Sequence, residues 1–402
     1  MKIAFLVNSF PKISETFILS QVTGMIDRGH DVYIFARESS SEENQHKDVD
    51  RYGLIEKTTT ADPPKNKLHR LISAGLLIPK GILKRPRRIL ESLRFSRYHR
   101  DAFSLRMLHY SSTFNHEDVD VLVCHFGHNG NLGALLKRTG VDVRVVTMFH
   151  GADVRQANSG SKNIYKPSFK ESDVLLANSR DTMDELISLG ADYSKVHWHP
   201  VGVNPDMFHT LHDGGSEDNM VVITTVARLV EEKDVETAIR AIAALPLTAL
   251  ESDIRYQIVG DGPKRESLEN LTRKLDLEDV VQFEGQVKRE KVIEFLAATD
   301  VFLLTSVDEA FGLVLLEAQA AEIPVVATNV GGIPEAVAAG DSAILVPPRS
   351  PDQIARQLSQ LIRQPSLRSK MGEKGHRFVA ENFDVDVLND ELESLLKKTL
   401  NS

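Results

Sequence analysis

Cysteine is nearly absent from these 402 residues: Cys124 stands alone, which excludes an intrachain disulfide and a cysteine-built metal cage. It lies in the apolar run VDVLVC, where a thiol reads as a small buried hydrophobe rather than a nucleophile. Long hydrophobic runs are absent as well. The opening MKIAFLVN is too short for a signal peptide and no stretch reaches membrane-spanning length, so the expected address is the cytoplasm. Positive charge is in deficit: 48 Lys and Arg against 57 Asp and Glu leave a formal net charge of -9, which speaks against a nucleic-acid partner bound by overall charge. Neither a G-x-x-x-x-G-K-[ST] phosphate loop nor an H-E-x-x-H zinc helix occurs. Asp-Val-Asp appears at 48–50, 118–120 and 384–386. All three read as structural, so no metal and no cofactor are expected.

Where basic residues are present, they are concentrated. Between Lys65 and Arg106 there are twelve Lys or Arg, opposed only by Glu91 and Asp101, and LISAGLLIPKGIL supplies apolar residues among them. Residues 65–106 therefore read either as an interfacial segment on an anionic membrane or acceptor, or as a solvated charged helix pair. Both readings stay open on sequence.

A chain of this length is long for one core, so two domains are expected. Short β-branched runs alternate with helical periods. Strands are expected at Ile3–Asn8, Asp31–Ala36, Val119–Cys124, Val143–Met148, Asp173–Asn178 and Lys195–His199, then again at Val221–Ala227, Arg255–Val259, Val280–Glu284, Val301–Thr305, Val325–Ala327 and Ala343–Val346. Two such series imply an α/β protein with two Rossmann-like, doubly wound parallel-sheet domains. The polar stretch His209–Asn219 reads as the break, giving domains at 1–208 and 209–375, with 376–402 as helices returning to the first domain. In such sheets ligands bind beyond the carboxyl ends of the strands, which is where chemistry is to be sought.

Four places stand out there. In SVDEAFGLVLLEAQ a strand ends near Thr305 and a helix starts near Phe311–Gly312, whose free N–H groups suit an anion such as a diphosphate. Eight helical steps set Glu309 and Glu317 about 12 Å apart, beyond the roughly 5–9.5 Å of paired glycosidase carboxylates. They suit the two ends of an extended ligand with an anionic middle, or else are two glutamates flanking a buried helix. Arg228 and Lys233 follow a strand in TTVARLVEEKD, where a fork and a point charge suit two phosphates, or where Glu231 and Glu232 pair with them on the surface. GDGP at 260–263 fails the G-x-G-x-x-G pattern at Arg265 and reads as a tight strand-to-helix turn. In TMFHGADV and CHFGHNG, His150 and His125 stand just after strands, with Asp153 nearby, placed to contact a sugar or simply to pack. Ser14, Glu15 and Thr16 cap a first helix, with Glu15 a candidate acceptor contact or a partner of the helix dipole.

EAFGLVLLE with the Arg–Lys pair, the GDGP turn and HGAD resembles retaining glycosyltransferase family 4, of the GT-B fold, over essentially the whole chain. FPKISETFI, CHFG and MFHGADV further resemble the transferases of colanic-acid- and amylovoran-type exopolysaccharide assembly. The resemblance implies two lobes facing a cleft and metal-independent transfer with retention. The donor would be a nucleotide sugar, UDP favoured over GDP, and the acceptor a lipid-linked or oligosaccharide molecule at the inner face of the membrane. Arg228 and Lys233 would hold the diphosphate, Glu317 the ribose, the Phe311, Gly312 and Leu313 backbone the phosphates and sugar, and Val287 the base. Glu309 and His150 would attend the transferred sugar, and Glu15, Thr16, His125 and Asp153 would be acceptor or cleft contacts. Many family members carry glycine where Ala227 and Asp234 stand. That departure leaves a non-catalytic nucleotide-sugar binder of the same fold as the alternative.

Overall fold

The computed structural model describes every residue except 13–14, 41–45, 117, 160–162, 210–219, 247–251 and 402. The chain divides into two compact units, Met1–Pro200 with Asp386–Ser402, and Val201–Val385.

The first unit holds a seven-stranded sheet of β1 (Lys2–Phe10), β2 (Asp31–Ser39), β3 (Thr58–Thr60), β4 (Val121–His125), β5 (Arg144–Phe149), β6 (Val174–Ala177) and β7 (Val196–Trp198). All pairings are parallel in the order β3-β2-β1-β4-β5-β6-β7. β1 shows why a parallel strand reads as a near-continuous apolar run. Ile3, Phe5 and Val7 pack on one face with Val22 and Met25 of the helix Thr16–Asp27, while Ala4 and Leu6 pack on the other with Tyr110, Phe114 and Leu132. Cys124 is buried in that second layer, where burial pushes its thiol up.

The second unit repeats the plan with β8 (Met220–Val226), β9 (Asp253–Val259), β10 (Val281–Gly285), β11 (Val301–Leu304), β12 (Val325–Thr328) and β13 (Ala343–Val346), parallel in the order β10-β9-β8-β11-β12-β13. In each sheet the strand order reverses beside its first strand, which creates a crevice at the carboxyl ends of β1 and β4, and of β8 and β11.

Three features differ from the sequence reading. β3, a run of three threonines at the sheet edge, carries no apolar alternation and was not expected. The chain passes between units at Pro200–Val201 and Val385–Asp386 rather than at 208/209 and 375/376. Val203 bridges Asp384, donating to the Phe383 carbonyl at 3.0 Å and accepting from the Val385 N–H at 2.9 Å, so 201–208 travels with the second unit. The helix Pro365–Asn382 also stays there, with Gly372 so close to Glu322 that a Cβ would lie 1.8 Å from its carbonyl oxygen. Only the last helix, Val385–Asn401, returns to the first unit. Third, Glu15 occupies the N-cap of the first helix without a side-chain cap bond. Ser14, and residues 210–219 of the expected break, lie outside the described residues.

Candidate functional site

In the second unit the loops after β8, β9, β11 and β12 are stitched together at the switch point. Gly260 and Gly262 allow the turn after β9 to press on the stretch that carries Arg228: a Cβ on Gly260 would fall 1.9 Å from the Ala227 carbonyl oxygen, and one on Gly262 2.5 Å from that of Leu229. Thr305, just past β11, donates its hydroxyl to the Lys233 and Asp234 carbonyls at 3.3 and 2.9 Å, and the Val307 N–H bonds the Glu232 carbonyl at 2.9 Å. That stitching brings the Lys233 ammonium onto the Glu309 carboxylate, to which Ser306 also donates at 3.2 Å. Both members of the ion pair are largely buried. From β12, the Gly332 N–H holds the Glu309 carbonyl at 3.0 Å, and a Cβ on Gly331 would lie 2.1 Å from the same oxygen.

The helix Leu313–Ala320 opens at Gly312, whose φ of 89° is the left-handed region that glycine adopts freely. Phe311 is buried with its ring 5.6 Å from that of Phe383, and Leu313 is half-buried. Further along the same helix, Glu317 is buried and pairs at 2.5 Å with Arg289, whose guanidinium lies over the Phe208 ring. Val287 is half-buried in the loop between β10 and the helix that Arg289 opens. Arg228 is exposed, and its guanidinium forms no ion pair or hydrogen bond among the described residues. The surface pairing open on sequence does not form: Glu231 pairs with Lys264 instead. Asp234 accepts the Thr237 hydroxyl at 2.7 Å, and burial raises its pKa. Its carboxylate is engaged with the start of the next helix and not with Lys233.

In the first unit, His125 ends β4 and His150 follows β5. Nδ1 of His125 lies 3.1 Å from Nε2 of His150 with the rings stacked, and Phe17 packs on His150 at 4.7 Å. Burial, with His199 adding repulsion, pushes His150 down to about 3, and burial drives His125 well below the usual histidine range. Both imidazoles are therefore neutral at ordinary pH. Asp153 is buried and accepts the N–H groups of Gly127, His150 and Val154 at 2.9 to 3.1 Å. Burial outweighs those bonds and pushes it up to about 6. It ties the two histidine-bearing loops together and positions them. Glu15 is buried and pairs with Lys12 at 2.5 Å, and the Thr16 carbonyl accepts the Ser20 hydroxyl. Among the described residues no group of three His, Cys, Asp or Glu side chains is arranged to hold a metal ion.

Residues 14–207 match the model of glycosyltransferase family 4, and residues 211–378 that of glycosyl transferases group 1. A Salmonella typhimurium glycosyltransferase named for colanic acid biosynthesis, WcaL, is 32% identical over 99% of this chain and 100% of its own. This chain is a family 4 glycosyltransferase. The transferase is also 32% identical to the amylovoran biosynthesis glycosyltransferase AmsK of Erwinia amylovora, over 90% of each. Its two Rossmann-like units form the GT-B fold, shared with Anabaena HepE, solved with UDP, at a TM-score of 0.74, 17% identity and coverage of 99% and 100% of the two chains. WaaG, a lipopolysaccharide biosynthesis transferase, aligns at 0.65 with 18% identity over 98% and 99%.

Two parts of the transferase escaped the sequence reading. Arg289, the partner of Glu317, sits in QVKREK, a charged surface run with no distinguishing spacing. Beyond the carboxyl ends of β1 and β2 lies a cavity of about 460 Å³ lined by Asn8, Lys12, Arg37, Lys65, Arg106 and His128. Arg37 is held there between the Tyr110 ring, 4.3 Å away, and Asp101 at 3.1 Å. Its signal was an arginine directly after the apolar run VYIFA of β2.

Proposed function

We propose that this transferase moves a hexosyl group from a UDP-sugar to a lipid-linked or oligosaccharide acceptor, with retention of configuration and without a metal, at the inner face of the cell membrane. The observation that carries the reading is Lys233 on Glu309 just ahead of a helix start. A cation beside a carboxylate suits the one place in a nucleotide sugar where an anionic phosphate meets a neutral, hydroxylated ring. Lys233 takes the phosphate next to the sugar, Arg228 the other, and the Phe311, Gly312 and Leu313 backbone completes the cradle. Glu309 accepts sugar hydroxyls, and His150 in the first unit is a neutral hydrogen-bonding partner for a sugar. Glu317 leaves Arg289 to accept the ribose hydroxyls, and Val287 lies against the base.

In the transfer step the acceptor oxygen bonds to the anomeric carbon as the bond to the diphosphate oxygen breaks on the same face. The acceptor proton passes to that departing oxygen. Charge grows on the diphosphate, and the two cations with the helix start stabilise it. Asp234 engages Thr237 rather than the phosphate-binding lysine, so this departure from glycine gives the non-catalytic reading no support.

The test is transfer by Lys233→Ala and Glu309→Gln across a panel of UDP- and GDP-sugars. Loss of one preorganised charge at a transition state of this kind costs about 10²–10³-fold in turnover. Full activity in both variants overturns the site assignment. UDP-sugar binding by the unaltered protein, with neither transfer nor hydrolysis, favours the non-catalytic binder.

A further inference from the structure

The insertion between β3 and β4 exposes apolar side chains and buries two arginines. Along the helix Lys67–Lys84 the residues turned inward are Arg70, Ala74 and Ile78, with Gly81 closing on Ile89. Arg70 is only 4% exposed and donates to the Pro64 carbonyl at 3.0 Å. Leu68, Leu71, Ile72, Leu76 and Leu83 form the outward stripe, 59% to 86% exposed, at the spacing of a single helix face. On the helix Pro86–Ser92, Arg88 is buried against the Ser111 and Phe114 carbonyls beside buried Ile89, while Leu90 is exposed. On the helix Phe95–Phe103 the two terminal phenylalanines are exposed with their rings 5.7 Å apart. Of the fifteen large hydrophobics exposed among the described residues, ten fall between 68 and 103. Singly scattered apolar residues need no explanation, but a concentration of this kind does.

Charge selects the occupant. Lys67, Lys80, Lys84, Arg87 and Arg100 are exposed on the same three helices, and Arg94 at the cap of the third. Lys84, Arg85, Arg87 and Arg88 line a cavity of about 370 Å³ that residues 139–142 close. A second copy of the chain would set two strongly cationic faces against each other. A nucleic acid would leave the leucines and phenylalanines without a partner. No helix among the described residues is long and apolar enough to cross a membrane, so the segment lies on a surface rather than spanning it.

We propose that the outer face of these three helices docks on a bilayer containing anionic phospholipid. Leu71, Leu76, Leu83 and Phe95 enter the acyl boundary, and Lys84 and Arg87 take headgroup phosphates at the mouth of the cavity. The inference deepens the membrane-side reading above and rests on it only for the choice of the cytoplasmic leaflet.

Full-length protein is sedimented with vesicles of phosphatidylcholine, alone or mixed with phosphatidylglycerol. The expected result is at least about tenfold more binding to the mixed vesicles, weakening as salt rises. Leu71→Ser/Leu76→Ser/Leu83→Ser abolishes binding to both compositions, and Lys84→Gln/Arg87→Gln removes the preference for phosphatidylglycerol. All five positions are exposed, and far-ultraviolet circular dichroism checks that the fold is kept. Equal binding to the two compositions overturns the proposal, as do unaltered binding by either variant and protein left in the supernatant throughout. A concentration-dependent dimer abolished by the leucine variant also overturns it and assigns the face to a second copy. Thermal stabilisation by UDP reads the donor site in the same variants, so loss of docking with UDP binding intact separates this failure from failure of the transferase site.

Discussion

Asp234 adopts φ 43° and ψ 45°, the left-handed region in which a Cβ costs about 1–2 kcal/mol. Returning it to glycine relieves that strain but removes the Thr237 bond and loosens the unfolded chain, terms of similar size and opposite sign. Asp234→Gly is expected to change stability by less than about 1 kcal/mol and the UDP dissociation constant by less than about threefold. Calorimetric titration checks this, and a tenfold gain in affinity would mean that the carboxylate does oppose the phosphate site. The buried histidines give a second test. His150 and His199 are held down to about 3 and about 4 by burial, and His125 lies well below its usual range. A depressed folded-state pKa leaves its stability contribution complete above the unfolded value near 6.5 and withdraws it as pH falls toward the folded value. Asp153 works the other way between 3.8 and about 6, favouring the fold as it becomes protonated. Between pH 7.5 and 6.5, above the Asp153 midpoint, the histidines therefore dominate. Stability should fall across that interval by about 1 kcal/mol, and His150→Asn should flatten the slope of Tm against pH.

At the scale of the element, the proposed donor loop depends on glycines that bear no chemistry. Gly331 has φ 48° and leaves no room for a Cβ beneath the Glu309 carbonyl, so Gly331→Ala must push that loop off Lys233. Transfer should fall about 10²-fold, as misplacement of a reacting group by about 1 Å does, while the secondary structure is retained. An active, stable variant would show that the loop tolerates displacement. The same contrast explains what could be read from sequence. Strands such as Val301–Leu304 and Val325–Thr328 are buried on both faces, and their β-branched runs announce them. Glu309, Lys233 and His150 could be singled out as candidates because each follows such a run. Gly331, Arg289 and β3 could not: a supporting glycine, the partner of a distant glutamate and three edge threonines acquire meaning only from residues far along the chain. Asp153 was legible as a position but not as a role, because its three N–H donors come from the starts of two different helices.

At the scale of the whole molecule, the chain leaves its first unit at Pro200 and closes it again from the far end. Leu392 and Leu396 of the helix Val385–Asn401 are fully buried in the layer that holds Val22 and Met25. Asn389 packs on Gly24, His30 bonds Glu393 at 2.7 Å and Arg28 bonds Asp390 at 2.7 Å. Each leucine contributes about 1.5–3 kcal/mol by burial alone, a large share of the about 5–15 kcal/mol that holds a domain together. Deleting 386–402 should therefore destabilise the first unit while leaving the second, Val201–Val385, with its own core intact. Calorimetry of the truncated protein should show one transition lowered by about 10 °C or more and the other, stabilised by UDP, unmoved. Leu392→Ala gives the milder form of the same result, a loss of about 2–5 kcal/mol confined to the first transition. If both transitions drop together, the last helix supports more than the sheet it covers; if neither moves, its leucines do not belong to that core.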